Sequence, residues 1–129
     1  MIDMQALVDG MGAKMQRERA ATQLTLGALI VALEAMPADA AVANLRDLDS
    51  YRGYYSDLYF ERREGTRPAA ELLAECKGAM GQVFTGYKGG DYVMGALTPL
   101  WISTHGESSG TKLLAVRDGG EIDTEQDDE

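Results

Sequence analysis

The sequence predicts an α+β domain with N-terminal helices, a middle helix and an antiparallel β-sheet of about five short strands. Three observations predict this class. Apolar residues recur at helical spacing in three stretches, and short apolar or aromatic runs bounded by turn residues occur in five others. A length of 129 residues suits one compact domain, and 45% hydrophobic with 26% charged residues is a composition that forms a core.

The first predicted helix lies within residues 2–19, where apolar residues follow one another at spacings of three, four and seven. This stripe consists of Met4, Leu7, Val8, Met11 and Met15. Because so narrow a stripe is hard to bury in a small body, we expect it to pack against another helix, and we expect a homo-oligomer. Residues 1–24 are therefore interpreted as a helical assembly segment, and residues 25–117 as the body of a single domain.

Two further helices are marked by their start and stop signals. Thr25 is a plausible N-cap for the second, and Pro37 ends it. Thr66 with Pro68 opens the third, and Gly81 weakens or ends it. The buried stripes are expected to be Leu26, Leu29, Ile30, Leu33 and Met36 in the second helix, and Leu72, Leu73, Cys76 and Met80 in the third.

Five runs are predicted to be strands, and the segment Asp47–Ser50 to be a polar turn between the first two. The runs are Ala41–Leu45, Tyr51–Phe60, Tyr92–Met94, Leu100–Thr104 and Lys112–Val116. Alternation within the second run places Tyr51, Tyr55 and Tyr59 on one face.

The charge is concentrated at the C-terminus. Acidic residues outnumber basic ones 21 to 12, for a net charge of −9, and seven of the acids lie in residues 118–129, which contain no base. The remaining chain carries 14 acids and 12 bases, so the body is nearly neutral while residues 118–129 are predicted to be a disordered acidic tail. A polyanion would meet a repulsive field, which disfavours binding to duplex nucleic acid.

The sequence points to the cytoplasm as the location of the protein. Cys76 is the only cysteine, so an intrachain disulfide cannot form, which fits a reducing compartment. No stretch approaches the roughly 18 consecutive apolar residues of a membrane span, and the start lacks the basic-then-apolar order of a signal peptide. We therefore expect no contact with a membrane.

The sequence contains no convincing catalytic or metal-binding constellation, and we expect neither an enzyme nor a cofactor. Residues 106–110 match the G-x-S-x-G nucleophile pattern, but the only histidine, His105, precedes the serine, and the chain is too short for the corresponding fold. One histidine and one cysteine far apart cannot form a zinc site. Cys76 lies on an apolar helical stripe, where a small core residue is the expected interpretation.

A group of aromatic, basic and glycine residues stands out as a candidate ligand site. All nine aromatic residues lie between Tyr51 and Trp101. Arginine and lysine bind phosphates, rings stack on bases, and a carboxylate accepts hydrogen bonds from ribose hydroxyls. The candidate ligand-binding residues are Arg52, Tyr54, Phe84, Tyr87, Lys88, Asp91, Trp101 and Arg117. The alternative is that the tyrosines pack the sheet and the glycines form its turns, and composition alone favours that alternative.

Four segments together resemble a known family. They are Thr25–Ile30 continuing to Met36-Pro37, Ser50-Tyr51-Arg52-Gly53-Tyr54-Tyr55-Ser56-Asp57-Leu58, Phe84-Thr85-Gly86-Tyr87-Lys88-Gly89-Gly90-Asp91-Tyr92, and Thr98-Pro99-Leu100-Trp101. Between residues 25 and 117 this arrangement is similar to small phage-encoded proteins of the type-one Thoeris anti-defence family. The N-terminal helix and the acidic tail lie outside the resemblance.

The resemblance implies an oligomeric, non-enzymatic phage protein that sequesters a nucleotide signal. Such proteins bind a cyclic ADP-ribose isomer made by a bacterial TIR-domain defence enzyme, and some members also hold cyclic oligonucleotides at a separate site. The resemblance would make Arg52 the phosphate partner, Phe84 the stacking ring and Asp91 a ribose or base contact, with Arg117 a weaker match. Sequestration requires affinity without turnover, which agrees with the missing catalytic set.

Two other classes of function remain open. A small acidic phage protein could inhibit a host or defence protein by direct protein–protein contact, for instance as a mimic of nucleic acid. A small nucleotide-processing enzyme would return its bound nucleotide chemically changed. A protein that only sequesters its ligand would release it intact after heat denaturation.

Overall fold

The structure is a computed structural model that describes residues 17–51, 57–85, 91–103, 111–117 and 121–124. In these ranges the chain forms three helices and seven strands. The helices are α1 (residues 17–22), α2 (Leu26–Glu34) and α3 (Ala69–Ala79). The strands are β1 (Ala41–Ser50), β2 (Leu58–Pro68), β3 (Val83–Thr85), β4 (Asp91–Val93), β5 (Leu100–Ser103), β6 (Thr111–Val116) and β7 (Ile122–Thr124). The predicted α+β class is confirmed.

The strands form a five-stranded sheet of order β1-β2-β5-β6-β7 and a two-stranded sheet of β3 and β4. Neighbouring strands are antiparallel except β2 and β5, which run parallel, with Leu58 opposite Leu100 and Phe60 opposite Ile102. The predicted sheet was antiparallel throughout, and for this pair the prediction is wrong. Between the two strands the chain passes through α3 and the second sheet, a connection long enough to return β5 to the end at which β2 begins.

The first hairpin differs from its predicted boundaries. Strand β1 continues through the predicted turn at Asp47–Ser50, because a bulge absorbs Asp47, whose φ of 56° is tolerated by aspartate. The predicted single strand Tyr51–Phe60 is instead interrupted: Tyr51 follows β1, and β2 begins at Leu58. The chain reverses direction here, so Tyr51 and Tyr59 come from opposite sides of a turn, whereas Tyr55 lies outside the described residues.

Both described body helices bury most of the stripe that their spacing predicts, but Ile30, Met36 and Leu73 are only half-buried. The Thr25 hydroxyl caps α2 by accepting from the Ala28 amide at 3.3 Å, and α2 buries Leu26, Leu29 and Leu33. Helix α3 buries Leu72 and Cys76, but Met80 follows the helix and is 41% exposed. Pro68 occupies the N-cap position of α3 without a side-chain bond, and Thr66 belongs to β2.

The two faces of the large sheet bury different residue types. Because Phe60 and Ile102 are paired, they share a face, and both belong to the aliphatic core that the sheet forms with α2 and α3. Tyr59 and Trp101 are also paired and therefore share the other face, where they form a separate buried cluster with Tyr51. The alternation of β2 and β5 thus separates Tyr59 and Trp101, with Tyr51, from the main core, which contains Phe60.

The segment between α1 and α2 is inserted between β5 and β6. The Leu24 amide donates to the Leu113 carbonyl at 2.7 Å, and the Leu24 carbonyl accepts from the Leu100 amide at 2.9 Å. The Gln23 side chain also donates to the Leu100 carbonyl at 2.8 Å. These bonds attach α1 firmly to the centre of the sheet, whereas the predicted apolar stripe of residues 4–15 lies outside the described residues.

Part of the predicted acidic tail is a strand. Strand β7 pairs antiparallel with β6, so the prediction of disorder from residue 118 onward is wrong for residues 122–124. Ile122 and Thr124 are buried on one face of β7, and Asp123 between them accepts two hydrogen-bonding contacts from Arg117. The alternation was hidden in the sequence by the high density of acidic residues.

Among the described residues, every helix is too short or too polar to cross a bilayer.

Candidate functional site

A buried polar site surrounds Asp57, whose side chain is completely buried. Arg19 of α1 binds the carboxylate with two nitrogens, Nε to Oδ2 at 2.7 Å and Nη2 to Oδ1 at 2.9 Å. The Trp101 indole donates to Oδ2 at 2.8 Å. A buried carboxylate is tolerated only with such charge and hydrogen-bond partners. The ion pair therefore joins α1 to the turn before β2.

Three aromatic rings pack beside this carboxylate. Tyr51 stacks on Trp101 with ring centroids 4.7 Å apart and an angle of 18°, and Tyr59 lies 6.2 Å from Tyr51 at 53°. The Tyr51 amide also donates to the Asp57 carbonyl at 3.0 Å. We call this set the Asp57 cluster; its members are Arg19, Tyr51, Asp57, Tyr59 and Trp101. The cluster fixes both residues that flank the segment 52–56.

Four of the eight predicted ligand-binding residues lie outside the described residues. They are Arg52, Tyr54, Tyr87 and Lys88. The structure does, however, describe the residues on both sides of these positions: Tyr51 and Asp57 flank the first two, and Thr85 and Asp91 flank the others.

Phe84 and Asp91 lie in the small sheet, at the end that leads into residues 86–90. Thr85 is the register partner of Asp91, and Phe84 is the partner of Tyr92. Phe84 is half-buried and packs against the main core, whereas Asp91 is exposed. The hairpin therefore places these two predicted residues on neighbouring strands, with the Phe84 side chain on the face toward the core and the Asp91 side chain on the opposite face.

Trp101 and Arg117 belong to the large sheet and already have partners in the chain. Trp101 is 8% exposed, with its ring against Tyr51 and its indole nitrogen on Asp57. Arg117 follows β6 and is exposed, and it binds Asp123 with Nη2 to Oδ1 at 2.6 Å. In this structure Trp101 supports the turn at Asp57, and Arg117 supports the β6–β7 connection.

The topology brings several of these residues to one end of the large sheet. Strands β2 and β5 are parallel and both begin at this end, so Asp57 and Trp101 lie near it. Strand β6 is antiparallel to β5 and continues past its start, so Arg117 lies at this end but five residues beyond Lys112, the register partner of Trp101. The flanks of the segment containing Arg52 and Tyr54 are thus at the same end of the sheet as Trp101 and Arg117.

A second buried ionic group ties β1, β2 and α3 together. The Arg67 guanidinium, 6% exposed, donates to the Leu45 carbonyl at 2.6 Å and to Glu75 at 2.7 Å. The other Glu75 oxygen accepts from the Leu48 amide at 3.2 Å. Since Arg67 of β2 binds a main-chain partner on β1 and side-chain partners on α3, it holds the β1–β2 hairpin against α3.

A shallow hollow of about 370 Å³ lies over the bulge between β1 and β2. Its lining consists of Ala43, Asn44, Arg62, Arg63, Glu64 and Gly65. The hollow includes none of the eight predicted residues. In the described ranges, no three His, Cys, Asp or Glu side chains are grouped in a way that would hold a metal ion.

The Cys76 thiol is expected to be unreactive in the folded protein. Burial, followed by the nearby Glu75 carboxylate, raises the pKa of Cys76 from 9.0 to about 12. The thiolate is the reacting species, so we expect a disulfide reagent at pH 8 to modify native protein at least about 100-fold more slowly than protein in urea. Equal rates in the two conditions would show that the thiol is accessible.

The same raised pKa of Cys76 determines how stability depends on pH. The folded state keeps its proton where the unfolded thiol loses it, so this contribution to stability is complete below pH 9.0 and declines between pH 9.0 and about 12. The Cys76→Ala variant should therefore lose less stability than wild type between pH 8 and pH 10.5. Urea denaturation of both proteins at the two pH values would measure the difference.

In the sequence Asp57 is singled out only as a member of the segment from Ser50 to Leu58, and Arg19 is given no function. The two residues are 38 positions apart, and their pairing depends on the insertion of residues 23–25 into the sheet. The one local signal was the density of tyrosines around position 57, which marks a buried or ligand-facing region without naming a partner.

Comparison of the chain with protein-family models, with curated proteins and with solved structures yields no match.

Proposed function

We propose that the protein is a phage anti-defence protein that binds a cyclic ADP-ribose-type nucleotide signal in the bacterial cytoplasm and sequesters it without cleaving it. The observation that carries the proposal is the convergence at one end of the large sheet. There the flanks of the segment with Arg52 and Tyr54 lie at the same end as Trp101 and Arg117. Rings and guanidinium groups are the side chains that recognise a base and a diphosphate.

The small sheet places two of the predicted residues on neighbouring strands. Phe84 offers a half-buried ring and Asp91 an exposed carboxylate, but Phe84 pairs with Tyr92 and Asp91 pairs with Thr85, so the two side chains lie on opposite faces of the sheet. A nucleotide that uses both the ring and the carboxylate would therefore need them from different copies of the chain. Homo-oligomer formation, expected from the apolar stripe of residues 4–15, would allow the two sheets of different copies to contribute to one site.

We expect the purified protein to bind a cyclic ADP-ribose isomer with micromolar or tighter affinity, which corresponds to a binding free energy of about −8 kcal/mol or a more negative value. Isothermal titration with cyclic ADP-ribose and its isomers would measure the affinity. Heating the complex and analysing the released ligand by mass spectrometry would then test whether it is unchanged. Recovery of a cleaved nucleotide would indicate an enzyme instead.

Variants test whether the predicted residues form the site. Arg52→Ala and Phe84→Ala should each weaken binding at least about tenfold, the change that loss of one charge-assisted or stacking contact of about 1.4 kcal/mol produces. Arg62→Ala, which removes an exposed arginine of β2, is the matched control and should bind like wild type. If both variants bind with wild-type affinity, the assignment of Arg52 and Phe84 to the ligand site is wrong.

Direct inhibition of a host or defence protein is a second candidate function, and one observation favours it. Val83 and Val93 are register partners on the small sheet and are 55% and 65% exposed, so they present an apolar pair on one face. Exposed apolar pairs of this kind are common at protein–protein contacts. This function predicts that charge reversal of the acidic tail or Val93→Lys abolishes anti-defence activity, while Arg52→Ala and Phe84→Ala have no effect.

A further inference from the structure

The hollow between β1 and β2 is created by an unequal number of residues on the two strands. Between two register pairs, Asn44 of β1 lies opposite the three residues 63–65 of β2. A bulge of this kind interrupts the ladder and bends the strand, and bulges are common beside functional sites. The resulting hollow of about 370 Å³ has the size of a small-molecule site, since such sites occupy roughly 300–1,000 Å³.

The Asn44 side chain bridges the bulge and attaches it to the rest of the fold. Its Nδ2 donates to the Glu64 carbonyl at 2.9 Å, and its Oδ1 accepts from Arg46 Nε at 2.7 Å. Arg46 also lies 3.5 Å from the carboxylate of Glu71 on α3. One wall of the hollow is therefore held in place by β1 and α3 without a ligand, which reduces the ordering cost that binding would otherwise carry.

The hollow presents one arginine and one glutamate that are available to a ligand. Arg62 and Glu64 both line it and are exposed, and neither side chain forms a hydrogen bond or an ion pair with any residue that the structure describes. Arg63, which lies between them in the sequence, instead binds Asp47 at 2.6 Å and Glu61 at 3.0 Å. The lining thus offers one cation and one anion that are not already neutralised by each other or by a neighbour.

We propose that this hollow is a binding site for a small zwitterion, a molecule that carries one carboxylate and one ammonium group as amino acids do. The Arg62 guanidinium donates to the carboxylate of the ligand, and the Glu64 carboxylate accepts from its ammonium group. A phosphate or a polyanion is disfavoured, because Asp47 and Glu61 offset the charge of Arg63 and the Glu64 carboxylate repels an anion.

This inference goes beyond the proposed function and does not depend on it. The hollow contains none of the eight residues predicted to bind the nucleotide. Its ligand class also differs, because a zwitterion has no net charge whereas the nucleotide signal is an anion. The two sites can therefore be tested separately in the same full-length protein.

The test is a nuclear magnetic resonance titration of isotope-labelled full-length protein with glycine, β-alanine and γ-aminobutyrate, which differ in the separation of their two charges. Acetate and methylammonium are the probes that carry only one of the charges. We expect the amide signals of residues 43–45 and 62–65 to shift, with saturation in the millimolar range because the contacts are exposed to water. At least one zwitterion should bind at least tenfold more tightly than either singly charged probe.

Variants of the two charged residues test their assignment. Arg62→Gln and Glu64→Gln should each weaken binding of the best zwitterion at least tenfold. Because both side chains are exposed and unpaired among the described residues, these variants should unfold at the wild-type urea concentration. The double variant Arg62→Glu with Glu64→Arg exchanges the charges and should recover part of the affinity, since the ligand can bind in the reverse orientation. Arg17→Gln and Glu18→Gln, which remove exposed charges of α1, are the matched controls and should bind like wild type.

Three results would overturn the proposal. The first is the absence of shifts at the hollow up to about 50 mM zwitterion, well above a millimolar dissociation constant. The second is acetate binding as tightly as every zwitterion, which would make the hollow a site for anions only. The third is wild-type affinity in both single variants. Titration with cyclic ADP-ribose isomers decides the proposed function independently, because Arg62→Gln and Glu64→Gln should leave that affinity unchanged.

Discussion

Replacing Arg67 with methionine is expected to lower the free energy of unfolding by about 3–5 kcal/mol, the usual result of removing one partner from a buried ion pair. Methionine fills much of the same volume, so the loss of stability would come from the polar groups that are left without a hydrogen-bond donor. Without the guanidinium, the Leu45 carbonyl and the Glu75 carboxylate lose donors at 2.6 and 2.7 Å. Urea denaturation followed by circular dichroism would measure the change.

The matched control for Arg67 is Arg63 on the same strand. Arg63 also binds two carboxylates, Asp47 at 2.6 Å and Glu61 at 3.0 Å, but all three side chains are at least 40% exposed. Exposed pairs are screened by water and contribute little, so Arg63→Met should leave the urea midpoint nearly unchanged. Similar losses in the two variants would mean that burial does not determine the importance of Arg67.

Replacing Gly27 with alanine is expected to destabilise the protein by about 1–3 kcal/mol, the usual cost of overpacking. A Cβ at this position would lie 2.8 Å from the Ala96 Cβ and 2.9 Å from the Ala96 Cα and carbonyl oxygen. The contact is with backbone, and the Gly27 amide donates to that same carbonyl at 2.9 Å. Helix α2 would therefore have to move away from residues 95–98, and thermal denaturation would show a lower Tm.

The corresponding change in α3 should have the opposite sign. Gly78 is exposed and lies inside the helix, and a Cβ added there would meet no atom within 4 Å apart from its own helix and chain neighbours. Alanine there reduces the entropy of the unfolded chain and should stabilise by about 0.5–1 kcal/mol. A stabilising Gly27→Ala variant, or a strongly destabilising Gly78→Ala variant, would contradict the packing described for the two helices.

Several features of this protein follow from its sequence alone, because they depend on contacts between neighbours in the chain. The buried faces of α2 and α3 were predicted from spacings of three and four residues, the Thr25 cap from a hydroxyl residue just before such a stretch, and the α+β class from these helices together with the strand runs. Strands β5 and β6 lie within one residue of their predicted bounds at both ends. In each of these segments the spacing of the hydrophobic residues matches the face that the folded protein buries.

Other features were decided only by the tertiary structure. The parallel pairing of β2 with β5 and the pairing of β7 with β6 depend on where distant strands meet, and local periodicity does not record that. The ion pair between Arg19 and Asp57 likewise depends on residues 23–25 lying between β5 and β6. The sequence does not distinguish a charged side chain that faces water from one that binds a buried partner, because tertiary packing determines which residues meet.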